Sequence, residues 1–198
     1  MAFLRALRNR SFALLWGGQT ISRLGDSLYR IALSWWILEE TGSAAAMGAL
    51  AVFSLVPMLL FLLVGGVVID RLPRFRIMLA SDAVNMLVVA LVTLLAFTDR
   101  LQLWHVYAVS VVFGLAEAFF TPAYIASVPQ VVSAEDLPSA NSLTSLSWQV
   151  SGVPGPPLGA IIVAAGGTAT AFGFDSLSFS WSRPAACSPC GISARRRR

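Results

Sequence analysis

The chain has 198 residues, 57% of them hydrophobic and 12% charged, with a mean hydropathy of +0.74. An ordinary soluble domain, with a charged share of about 25%, is excluded, and a bilayer is the expected solvent. The basic balance of 14 Lys and Arg against 10 Asp and Glu does not point to nucleic acid: five of the arginines (Arg183 and Arg195 to Arg198) fall in the last 16 residues, and the rest of the chain carries nine basic against ten acidic side chains.

Hydropathy predicts spans of about 20 residues, enough for a helix to cross roughly 30 Å of hydrocarbon. They run near Phe12 to Leu38, Ala45 to Ile69, Ile77 to Phe97, Leu103 to Ser127 and Ser139 to Ala165, with a sixth beginning near Thr170. Arg5, Arg8 and Arg10 precede the first span and Arg71, Arg74 and Arg76 follow the second, whereas the opposite-side connections hold only Arg100, which predicts a cytoplasmic N-terminus. A cleaved signal peptide is not expected, because Arg23, Asp26 and Arg30 interrupt the first span.

The first span carries the main site expectation. Gln19, Arg23, Asp26 and Arg30 fall within about 60° of arc at 3.6 residues per turn, one polar stripe on an apolar helix. Each charge at this depth costs about 2.5 to 3.5 kcal/mol on insertion scales, so the stripe should face a partner or a watery cavity. Glu117 in the fourth span is the expected complement. Counted from the span centres, Asp26 and Glu117 fall on opposite sides of the midplane, about 6 Å apart in depth. Intramembrane carboxyls are the groups from which proton relays are built. A purely structural reading stays open, in which Arg23 and Asp26 neutralise each other and Glu117 pairs with Arg30.

The second span ends in GGVVIDRLPRFR (Gly65 to Arg76), where an apolar run stops at an acid and three arginines follow. Gly66 should let a neighbouring helix approach closely, and Asp70 should pair with cations at the helix end. Asp82 and Asn85 in the third span are expected near this arginine turn. In the fifth span, Pro154, Pro156 and Pro157 remove three backbone donors and predict a kink, while Ser151, Gly155 and Gly159 recur every four residues as a small-residue stripe. Trp35, Trp36, Trp104, His105 and Tyr107 suit an interfacial belt. His105 is the only histidine, so no metal site is expected around it.

Several of these segments resemble the major facilitator superfamily. Gly66, Asp70, Arg71, a turn former at Pro73, then Arg74 and Arg76 resemble the loop signature between helices two and three, with Pro73 where the family has Gly and Phe75 where it has a basic residue. Ser22 to Ala44 and Glu117 to Leu143 are similar to the branch that includes macrolide-efflux-type and enterobactin-exporter-type permeases. Ser151, Gly155, Pro156, Gly159 and Ala160 resemble the fifth-helix antiporter motif, with Ser and Ala where Gly is usual. Many drug-proton antiporters have an arginine in helix four where this chain has Ser110.

The resemblance implies an all-α membrane protein, the N-terminal six-helix half of a major facilitator fold with five full spans and a cut-short sixth. Residues 1–179 form the bundle. Residues 180–198, rich in Arg, Pro and Ser and holding both cysteines (Cys187 and Cys190), read as an aberrant tail from a shifted frame or another premature ending, a genuine regulatory tail being the alternative. Helices one and four of such transporters line the central cavity, so Gln19, Arg23, Asp26, Arg30 and Glu117 are expected there. Gly66, Asp70, Arg71, Arg74 and Arg76 form a gating loop by the same resemblance, and Ser151, Gly155, Pro156 and Gly159 a hinge or seal between transporter halves. The implied function is proton-coupled export of a small hydrophobic or amphipathic molecule such as a drug, macrolide or siderophore, from a bacterial-type inner membrane, this fragment itself being inactive. A half-size transporter acting as a homodimer and a non-transport membrane scaffold are the alternatives. No enzyme activity, cofactor or metal is expected. The expected partners are lipid, a small-molecule substrate, protons, and a C-terminal half or a second copy.

Overall fold

The computed structural model describes residues 4–165, and among them there are helices and turns but no strand. The expected sixth span, the CxxC and the 180–198 tail lie outside the described residues. A short 3-10 turn at Arg5–Arg8 leads into α1 (Arg10–Thr41), which is followed by α2 (Ala44–Arg71), α3 (Arg74–Phe97), α4 (Leu103–Val131) and α5 (Leu137–Gly152).

The boundaries follow from local chemistry. Asn9 caps α1 by accepting a hydrogen bond from the Ser11 amide, and the helix ends at Gly42, whose φ of 61° suits a residue without a Cβ. Ser43 then caps α2 at once, accepting from the Ala46 amide, so the α1–α2 connection is only Gly42 and Ser43. Pro73, with φ −60°, opens α3 where its missing donor costs nothing. α5 starts with Pro138 in its first turn and stops at Gly152. Val153 and Pro154 form a turn, after which helix resumes over 155–165 with the Leu158 amide donating to the Pro154 carbonyl. The prolines thus break the fifth span into two pieces, more than the expected kink.

Three helices, α2, α3 and α4, are long and apolar enough to cross a membrane by length and composition. α1 is the longest at 32 residues, about 48 Å, but its polar stripe keeps it out of that group. α4 is the central element, packed against both α2 and α3, while α1 packs chiefly against α5 and α2. Two apolar clusters hold the bundle. One gathers Phe12, Leu15, Met78, Tyr124 and Leu143, and the other Leu33, Ile37, Val89, Val92 and Val106. The polar residues lie in the stretches of α1, α3 and α4 between these clusters, which leaves a polar chamber between two apolar plugs.

Candidate functional site

The chamber is a cavity of about 280 Å³, and Gln19, Arg23, Asp26, Arg30 and Glu117, the five residues expected there, all line it. The stripe on α1 faces the chamber because it continues the buried face of that helix, on which Phe12 and Leu15 precede it and Leu33 and Ile37 follow, while Leu14, Ile21 and Trp35 on the other side are exposed. Asp26 lies at the midpoint of α1 and Glu117 at the midpoint of α4. α4 runs on to Val131, four residues past the predicted end, which puts Glu117 at its centre rather than two residues beyond it. Thr121, one turn along, donates its hydroxyl to Glu117 Oε1.

Neither internal ion pair of the structural reading is formed. The Arg23 guanidinium instead lies over aromatic rings, its carbon 3.5 Å from the centre of Trp148 and 5.6 Å from that of Tyr124. Among the described residues, Arg23 Nε and Nη2 and Asp26 Oδ1 make no hydrogen bond.

The chamber also contains groups that the sequence reading placed elsewhere or passed over. Asp82 and Asn85 are buried in its wall and do not sit at the arginine turn. The signal was available, since Asp82 is eight residues beyond Arg74, about 12 Å along the helix. Asp82 supplies a third carboxyl, so three acids face two arginines. Ser54, Phe113 and Trp148 complete the wall from α2, α4 and α5. No spacing pattern in the sequence marks Trp148, because a single aromatic in a membrane helix is most often an interface residue.

The second group of expected residues lies at the α2–α3 turn. Arg74 is the one that reaches another helix, its Nη1 donating to the Ala126 carbonyl of α4 at 2.5 Å. Asp70, Arg71 and Arg76 are exposed and, among the described residues, join no ion pair, so the expected pairing of Asp70 is not formed. The role given to Gly66 belongs to its neighbour. A Cβ on Gly66 would meet nothing, whereas one on Gly65 would overlap the Ala118 carbonyl of α4. Adjacent helical positions point about 100° apart, and only Gly65 faces the partner.

The third group, on the broken fifth span, packs on α1. Ser151, Gly155 and Gly159 are all buried and Pro156 is half-buried. A Cβ on Gly155 would overlap the Ser27 side chain, and one on Gly159 would press on Ile31 at 3.1 Å. The small-residue stripe is therefore what lets this segment lie against α1, one turn at a time.

The family model described as a transmembrane secretion effector matches residues 2–182. The chain belongs to this family, a branch of the major facilitator superfamily. It is 31% identical over 144 residues to macrolide efflux protein A of Streptococcus pyogenes, covering 71% of this chain and 36% of that protein. It is 29% identical over 146 residues to the multidrug efflux pump Tap of Mycolicibacterium fortuitum, again 71% and 36%, and 26% identical over 185 residues to Tap of Mycobacterium tuberculosis, 87% and 44%. The chain thus spans less than half the length of these relatives. No solved structure matches it. As a member of this transporter family it is a multi-pass membrane protein.

Proposed function

We propose that this chain forms the N-terminal bundle of a proton-coupled exporter of small hydrophobic or amphipathic molecules, with Asp26 and Glu117 as the groups that take up and release the proton. The observation that carries the reading is the chamber, in which carboxyls from α1, α3 and α4 meet at the middle of the bundle around open volume. The names of the relatives, macrolide efflux and multidrug efflux, support export as the direction and drug-like molecules as the cargo.

The proton acts through charge. Protonating one carboxyl changes the chamber by one unit, and in a medium of low dielectric a unit charge shifts both ligand affinity and the balance between helix arrangements. Asp26 is suited to this because its Oδ1 has no fixed donor among the described residues. Glu117, held by Thr121, is the more fixed of the pair. Alternating access requires a second bundle that closes against this one around a midplane site, supplied by a C-terminal half or by a second copy of the chain. The broken α5 segment on α1 serves as the hinge, and the α2–α3 turn, tied to α4 through Arg74, as the gate. The arginine distribution supports a cytoplasmic N-terminus, and the bacterial relatives support an inner membrane as its location.

The test is proton-driven uptake of ethidium into everted membrane vesicles containing the chain and its companion half. The reading predicts ethidium accumulation on acidifying the vesicle lumen and its collapse on adding a protonophore. Accumulation indifferent to the protonophore contradicts proton coupling.

A further inference from the structure

We propose that Arg23 and Trp148 form a binding subsite for an uncharged carbonyl oxygen carried on a planar apolar group, a refinement that rests on the export reading. Arg23 is 9% exposed and still joins no ion pair among the described residues. Two of its nitrogens, Nε and Nη2, have no hydrogen-bond acceptor there. A charged donor buried without an acceptor is costly, so a bound group is expected to supply one.

The geometry defines what that group is. The guanidinium carbon lies over the ring of Trp148 at 3.5 Å and over that of Tyr124 at 5.6 Å from their centres. A guanidinium's N–H bonds lie in its plane, so a ring on its face leaves the edge for an oxygen; Nε and Nη2 are sealed from solvent here, so the side chain turns toward the chamber that it lines for that oxygen to reach them. Charge then separates the possible acceptors. Three carboxyls (Asp26, Asp82 and Glu117) already face two guanidiniums (Arg23 and Arg30) across the chamber. A ligand carboxylate would enlarge the negative excess in a low-dielectric space, whereas a ketone, ester or lactone oxygen meets the same N–H without that penalty. Trp148, 45% exposed, and Phe113 and Phe120 offer the apolar surface beside it. A volume of about 280 Å³ lies at the lower edge of the roughly 300–1,000 Å³ usual for small-molecule pockets, so this bundle holds one portion of a ligand.

The test compares three matched probes on the whole chain in lipid nanodiscs by equilibrium dialysis, with empty nanodiscs subtracted: 2-acetylnaphthalene, its oxygen-free counterpart 2-ethylnaphthalene, and the anion 2-naphthoate. The ketone should bind about tenfold more tightly than the ethyl compound, as a hydrogen bond to a charged donor allows, and more tightly than the anion. Arg23→Met should reduce the ketone preference to within about twofold, and Trp148→Leu should weaken both neutral probes. Equal binding of ketone and ethyl compound, tightest binding of the anion, no binding of the ketone, or a preference that survives Arg23→Met each overturns the assignment. Should Arg23→Met fail to fold by thermal melting, the order of the three probes on the native chain decides alone. No pH gradient is present, so failure here leaves proton-driven export standing, and loss of proton-driven export leaves this result unchanged.

Discussion

Gly114 of α4 lies directly against the carbonyl of Ser54 in α2, so that a Cβ there would overlap the Ser54 backbone. Together with Gly65 on Ala118, it brings two membrane helices into main-chain contact at two heights, one from each partner. Because backbone cannot rotate out of the way as a side chain can, the contact tolerates only glycine.

Gly65→Ala and Gly114→Ala should therefore each destabilise the bundle by about 1–3 kcal/mol, the usual range for overpacking, whereas Gly66→Ala and Gly48→Ala, which open onto empty space, should be close to neutral. Thermal melting in detergent checks this. An equal effect at Gly65 and Gly66 would contradict the rotation assigned to α2.

The N-terminal end of α1 offers a contrast between charge and hydrogen bonding. Arg5 pairs with Glu135 and Asp136 at 3.2 Å each, in a largely exposed setting. Asn9 caps α1 and also donates to the Val131 carbonyl at 2.5 Å. Arg5→Ala should cost less than about 1 kcal/mol and lose its effect in high salt, while Asn9→Ala should cost about 1–2 kcal/mol at any ionic strength. Melting each variant at low and high salt separates the two.

The structure shows how far a sequence of this kind can be read. The stripe from Gln19 to Arg30 was legible because a bilayer makes each charge costly, and the period of the stripe then fixes which face it occupies. That the fifth span would be disturbed near Pro154 was legible for a similar reason, since the missing donors of proline act locally, but a kink was expected and the helix is broken. What could not be read was rotation and partnership. Gly65 and Gly66 are equivalent as sequence, and only packing on α4 distinguishes them. Nothing in the spacing shows that Trp148, 125 residues from Arg23, covers its guanidinium. The misplacement of Asp82 differs in kind, because counting along α3 from Arg74 would have set it deep in the bundle.

Topology follows from arginine placement. Reporter fusions after Arg76 should be cytoplasmic and fusions near Thr41 exported. The reverse pattern would invert the assignment of every connection.

Asp82 brings a carboxyl from α3 to the proposed coupling site. As part of the chamber wall, its replacement by Asn should change the pH dependence of proton-driven uptake while leaving expression and melting close to native. A pH profile identical to the native one would restrict Asp82 to packing.

The central claim is that Asp26 and Glu117 carry the proton. The most direct measurement is ethidium uptake by everted vesicles under an imposed pH gradient, for the native protein with its companion half and for Asp26→Asn and Glu117→Gln, alongside ethidium binding without a gradient. Either neutral variant should abolish gradient-driven uptake while binding persists, because each removes a titratable proton and keeps the shape of the chamber. Uptake at native rates in both variants would show that the carboxyls serve structure, and proton coupling through this chamber would be wrong.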